Sequence, residues 1–176
     1  MLIVYTGNGK GKTTAALGQA MRAVGEGKRV LMVQFIKGPW RSGEDEIFAR
    51  LQIPDDKLRI IKTGLGFVGI LGDKRPIGEH QRAAEKGLEL ARQQAESGNW
   101  DILILDEICN AVSLGLIPKE TVLELVNQST STLEHLILTG RGAPKEFIDR
   151  ADLVTEMKDI KHPYEKGIKA KRGLEY

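Results

Sequence analysis

The first fourteen residues constrain this chain more than any other stretch. Leu2 to Thr6 is a short apolar strand, and it runs straight into the loop Gly7-Asn8-Gly9-Lys10-Gly11 and then Lys12-Thr13-Thr14. From Thr13 to Gly25 a helix is expected, because Leu17, Ala20, Met21 and Val24 recur at helical spacing and Gly27 is placed to stop it. The phosphate-loop pattern is G-x-x-x-x-G-K-[ST]. Gly11-Lys12-Thr13 fits its end, while Thr6 stands at its first glycine position. The physics fits as well. Gly7, Gly9 and Gly11 let backbone N–H groups turn inward around an anion. The positive end of the helix faces the same anion. Lys12 adds a full charge, and the Thr13 hydroxyl suits Mg²⁺. Asn8, Lys10 and Thr14 complete the nucleotide-binding segment. A plain strand-to-helix turn is the competing reading, and Lys-Thr at the helix start argues against it.

Strand-like and helix-like segments then alternate to the end. Strands are expected at 29–36, 58–62, 101–106, 134–139 and 153–156, and helices at 44–51, 79–97, 118–128 and 144–150. Residues 63–78 hold five glycines and Pro76, which describes a loop. This βα alternation predicts an α/β fold with a mostly parallel sheet and helices on both faces. The strands read as continuous apolar runs, as doubly covered strands should. Ligands in such folds sit beyond the carboxyl ends of the strands. The loops beginning at Gly7, Lys37, Thr63, Glu107, Gly140 and Met157 are therefore where chemistry is expected.

Length and composition narrow the function. One domain over residues 1–176 is expected at this length. Hydrophobic residues at 41% and charged residues at 28% exclude disorder as the main state. No apolar run is long enough for a membrane span, and the first residues lack the basic segment of a secretory signal. The single Cys109 excludes an intrachain disulfide or a multi-cysteine zinc site, so a reducing cytoplasm is expected. The net charge of +2 hides a basic tail, with six Lys/Arg against two Asp/Glu over 158–172. Aromatic residues at 5% disfavour a base-stacking surface, so nucleic acid is not the expected partner.

Three further segments bear on chemistry. Ile102 to Leu105 is an apolar strand ending in Asp106-Glu107, a Walker-B pattern that places acids where they reach Mg²⁺. Glu107 also suits a water-orienting or metal-serving role. Arg141 follows the strand 134–139, where its guanidinium could hold phosphate or carboxylate; a surface arginine on a glycine turn explains it equally well. Gly64-Leu65-Gly66-Phe67-Val68-Gly69 matches G-x-G-x-x-G formally, but loop residues follow it instead of a helix, so a substrate-facing loop is expected there. His80, His135 and His162 show no metal-ligand spacing and read as surface or packing residues. Cys109 reads as a buried thiol.

Together these segments resemble the ATP:cob(I)alamin (corrinoid) adenosyltransferases of the phosphate-loop type. The resemblance rests on TGNGKGKTTAALG at 6–18, VQFIKGPW at 33–40, GE at 43–44, LILDEI at 103–108, LTGRGAP at 138–144, ADLVTEM at 151–157 and KHPYEKGIKAKRGLEY at 161–176. It implies a P-loop NTPase-like, recombinase-like three-layer sandwich with about six strands. It also implies transfer of the 5′-deoxyadenosyl group of ATP to a Co(I) corrinoid, with release of triphosphate. The cobalt is then the nucleophile, which agrees with the lack of a Ser/His/Asp or Cys/His set. Lys12, Thr13 and Glu107 become the catalytic candidates. Thr13, Asp106 and Glu107 become ligands to Mg²⁺, or Mn²⁺ in its place, and ATP lies reversed in its loop. Phe67 matches the first member of the family's aromatic pair in the corrinoid loop, and Gly69 stands where the second, a tryptophan, is usual. A homodimer and an electron-donating reductase or flavoprotein are implied in the same way. The same residues also admit a P-loop ATPase or small-molecule kinase, and a nucleotide-dependent nucleic-acid-binding module supported only by the basic tail.

Overall fold

The apolar pentapeptides form the strands of one sheet. A computed structural model describes the chain except Pro39, Leu71, Thr130, residues 164–166, 170 and 174–176, and the side chains of Phe48 and Ala49. The elements are β1 (Leu2–Thr6), α1 (Lys12–Gly25), β2 (Val30–Gln34), α2 (Gly43–Arg50), β3 (Leu58–Lys62), α3 (Ile77–Glu96), β4 (Ile102–Asp106), α4 (Ile108–Ser113), α5 (Lys119–Ser129), β5 (His135–Thr139), α6 (Lys145–Arg150) and β6 (Leu153–Glu156). All six strands are parallel, in the order β3-β2-β4-β5-β1-β6.

Side chains alternate between two apolar layers, as the two-residue period of a strand requires. Leu31, Val33, Leu103, Leu105, Leu136 and Leu138 face α3, α4, α5 and Phe147 of α6. Val30, Met32, Ile102, Ile104 and Ile137 face the other way, onto Ala16, Ala20 and Ala23 of α1. Small residues on α1 let that helix lie close to the sheet. The result is the expected three-layer α/β sandwich.

The boundaries differ from expectation by a residue or two. α1 starts at Lys12, β2 contracts to five residues, and α3 starts at Ile77, before Glu79. Two differences have physical content. The α4 helix was not anticipated. Its six residues are too few for a periodic pattern, and burial of Ile108, Cys109 and Ala111 against the core holds it in place. The expectation of doubly covered strands fails at the sheet edge, since all four residues of β6 are exposed.

Register places the functional end. Gln34 pairs with both Lys62 and Asp106, and Thr6 with Glu156, so the last residues of the strands line one rim. β5 lies between β1 and β4. Its last residue, Thr139, therefore stands between the phosphate loop and the Walker-B acids. No helix among the described residues is long and apolar enough to cross a membrane.

Candidate active site

The loop at residues 7–11 turns on its glycines. Gly7 and Gly11 take φ of 97° and 105°, a region open mainly to glycine. α1 carries neither an acid in its first turn nor a side-chain cap, so its positive end is left for a ligand. Lys12 is buried, and its Nζ donates to the carbonyl oxygens of Gly7 (2.8 Å) and Gly9 (2.5 Å). Burial holds its pKa below the usual lysine value despite the opposing charges of Glu107 and Asp106. Asn8 and Lys10 of the loop and Thr14 of α1 are exposed.

Asp106 is the centre of the rim. It is fully buried. Its Oδ1 accepts hydrogen bonds from Thr13 Oγ1 (2.9 Å) and Thr139 Oγ1 (2.7 Å). Its Oδ2 accepts from Gln34 Nε2 (3.1 Å), and Lys37 Nζ lies 3.6 Å away. Thr139 Oγ1 in turn accepts from the Glu107 backbone N–H at 2.9 Å. One hydroxyl thus fixes both acids.

Glu107 is the strained residue of the site. Its φ of 64° lies in the left-handed region, uncommon for a residue with a Cβ. The Oε2 atom is buried and makes no hydrogen bond among the described residues. Burial pushes the carboxyl above its ordinary range, and the neighbouring Asp106 charge pushes the same way. Lys37 counters burial through Asp106 and through Glu44, whose Oε1 is 2.7 Å from its Nζ, and its pKa is raised. Glu44 overcomes its own burial through the same contact and falls to about 2.

Arg141 lies beside this centre. Its backbone N–H donates to Asn110 Oδ1 at 2.5 Å, and its charge acts on both Lys12 and Glu107. The decoy segment 64–69 opens no helix. Phe67 is exposed beside Trp40, and the Gly69 N–H donates to Asp73 Oδ2 at 3.0 Å. His80 is a packing residue, buried with its Nε2 2.9 Å from Asp73. Cys109 is buried, its thiol pushed up to about 12. Of the resembling tail at 161–176, residues 164–166, 170 and 174–176 lie outside the described residues.

Gln34, Lys37, Glu44, Asn110 and Thr139 were not singled out from sequence. Their signal was their position, since Gln34 and Thr139 end strands at the ligand-bearing rim and all but Asn110 fall inside the motifs that carry the family resemblance. The donor set fits Mg²⁺. Thr13 Oγ1, Asp106 and the unpartnered Glu107 Oε2 are hard oxygen donors, and Mg²⁺ takes its remaining ligands from phosphate and water. Among the described residues no group of three or more His, Cys, Asp or Glu could itself hold a metal, so substrate oxygens are needed to complete such a site.

Known proteins match this sequence over its whole length. The family described as ATP:corrinoid adenosyltransferase BtuR/CobO/CobP matches residues 1–176. The corrinoid adenosyltransferase of Escherichia coli (strain K12) is 35% identical over 176 residues, covering 100% of this chain and 85% of that protein. Corrinoid adenosyltransferase CobA of Salmonella typhimurium is 35% identical over 181 residues, covering 100% and 85%. A corrinoid adenosyltransferase of Sinorhizobium sp is 37% identical over 177 residues, covering 100% and 80%.

Proposed function

We infer the division of labour at the site from one premise: this chain belongs to the ATP:corrinoid adenosyltransferase family and transfers an adenosyl group from ATP to a corrinoid. The group transferred is 5′-deoxyadenosyl. A Co(I) corrinoid attacks C5′, the C5′–O bond breaks, and its electron pair leaves with triphosphate. The nucleophile belongs to the substrate. The protein's work is to orient C5′ and to neutralise an anionic leaving group.

One observation carries this reading: Thr13, at the start of α1, is hydrogen-bonded to Asp106 beside a buried, unpartnered Glu107 oxygen. That joins the phosphate loop to the metal-type acids. Lys12, Lys10 and the amides of residues 7–14 hold the polyphosphate. Lys37 adds a cation from the β2 side, and Arg141 one from the β5 side. Thr13, Asp106 and Glu107 would hold Mg²⁺, or Mn²⁺ in its place, which supplies further charge neutralisation to the leaving group. Phe67 and Gly69 belong to the loop that meets the corrinoid. The reversed placement of ATP, which leaves C5′ toward the corrin, follows from the family resemblance. So do a homodimer and a flavoprotein or other reductase that delivers Co(I), while a cytoplasmic setting rests on the single cysteine and the one domain of residues 1–176 on the length.

Protein, Mg-ATP and chemically reduced cobalamin mixed without oxygen provide the test. The spectrum should report a carbon–cobalt bond, and triphosphate should appear in matching amount. ADP released without a corrin change would sink the reading.

A further inference from the structure

We infer that Trp40 forms the second aromatic wall of the corrinoid site, paired with Phe67; the inference rests on the proposed function, in which the loop after β3 meets the corrinoid. The two rings come from different loops, after β2 and after β3. Their centroids are 5.9 Å apart with planes at 35°.

The indole is held on purpose, yet left open. A Cβ on Gly38 would stand 2.4 Å from its Cζ3, and a Cβ on Gly66 would stand 2.4 Å from its Cη2. Two glycines on two loops therefore make the cradle in which the ring lies. The Trp40 carbonyl oxygen accepts a hydrogen bond from Lys62 Nζ at 2.8 Å. Even so, Trp40 is 58% exposed, Phe67 47% and the nearby loop residue Ile70 59%. The chain's other tryptophan shows the contrast. Trp100 is 7% exposed, and its Nε1 donates to Gln94, as a structural indole does. Seating a large ring firmly and leaving it in water suits recognition of a flat apolar face.

The location agrees. The loops that carry Trp40 and Phe67 leave β2 and β3 at the rim where Gln34 pairs with both Lys62 and Asp106, and Lys37 of the first loop reaches within 3.6 Å of Asp106. Gly69 carries no side chain, and a Cβ there would meet nothing within 4 Å, so that position gives the corrinoid no wall. The β2 loop supplies one instead. A corrin ring is broad and largely apolar across its face, and it is the co-substrate that such a pair fits.

The test is steady-state kinetics on Trp40→Ala, Trp40→Leu and Trp40→Phe with chemically reduced corrinoid, beside thermal unfolding. Trp40→Ala and Trp40→Leu should raise the corrinoid KM about tenfold, while Trp40→Phe should cost only about two- to threefold. The ATP KM should stay within about twofold in all three. Equal corrinoid KM for the Phe and Leu variants would overturn the inference, even if the Ala variant failed to fold. So would parallel losses for ATP and corrinoid with a lowered Tm, which is the mark of a structural prop. A wild-type chain that adenosylates no corrinoid would sink the functional reading itself.

Discussion

Glu107 shows how residues at this rim trade stability for chemistry. Its backbone is strained, its Oε2 has no partner and its carboxyl is pushed up by burial. An unpaired buried carboxylate costs stability when ionised. Glu107→Gln should therefore raise the Tm, by roughly 1 kcal/mol in stability, while lowering adenosyl transfer at least about tenfold. A lower Tm together with normal turnover would contradict both halves of the reading. Lys12 makes the complementary case, since its ammonium is buried with, among the described residues, only loop carbonyls as hydrogen-bond acceptors. Lys12→Ala should cost about 100-fold or more in kcat/KM with an unchanged circular dichroism spectrum. Near-normal turnover would refute the phosphate role. Both residues were readable from sequence, because a glycine-lysine-threonine turn and a strand ending in two acids are local patterns. Gln34, Lys37 and Thr139 were not, because each reaches Asp106 across strands far apart in the chain. Only the register reveals that contact.

At the scale of elements, the opposite end of the sheet carries a clasp that fixes this register. Arg29, just before β2, donates from its backbone N–H (2.8 Å), Nη2 (2.8 Å) and Nε (3.2 Å) to the Asp101 carboxylate, just before β4. The Asp101 N–H returns a bond to the Arg29 carbonyl oxygen at 2.9 Å. The Arg29 hydrogen bonds draw the Asp101 carboxyl from its ordinary 3.8 down to about 2, against the pull of partial burial. A carboxyl depressed on folding stabilises the native state fully above its unfolded value and loses that stabilisation as pH falls through its folded one. The clasp should thus be intact above about pH 4 and fail toward pH 2. Asp101→Asn should lower the Tm at pH 7 and flatten its fall between pH 4 and 2. An equally steep acid slope in the variant would rule the clasp out. Most elements were legible because the central strands are buried on both faces and read as unbroken apolar runs. α4 was not, because its six residues are held by tertiary burial, and the exposure of β6 was not, because Leu153 and Val154 give that edge strand the look of a covered one.

Across the whole molecule, the first and last strands meet at the proposed nucleotide site. β1 pairs with β6 as well as β5, so the first strand lies between the last two. The phosphate loop leans on the residues at the exit of β6. The Gly9 N–H donates to the Met157 carbonyl oxygen at 2.7 Å. A Cβ on Gly9 would stand 2.6 Å from the Lys158 carbonyl oxygen and 2.8 Å from that of Met157. The glycine at position 9 is thus required for close packing, in addition to the phosphate-facing role proposed for its loop. Its φ lies outside the left-handed region, so alanine meets no backbone strain there and any loss must come from displacement. Gly9→Ala should push residues 157–158 away from the loop, raise the ATP KM about tenfold and leave the corrinoid KM within about twofold. Gly18→Ala is the control, because a Cβ there meets nothing within 4 Å and the residue lies inside α1. It should raise stability by about 0.5–1 kcal/mol with ATP KM unchanged. If Gly9→Ala binds ATP as the wild type does, the exit of β6 does not shape the phosphate loop. If both variants weaken ATP alike, the effect belongs to glycine content near α1 and not to the meeting of the chain's two ends.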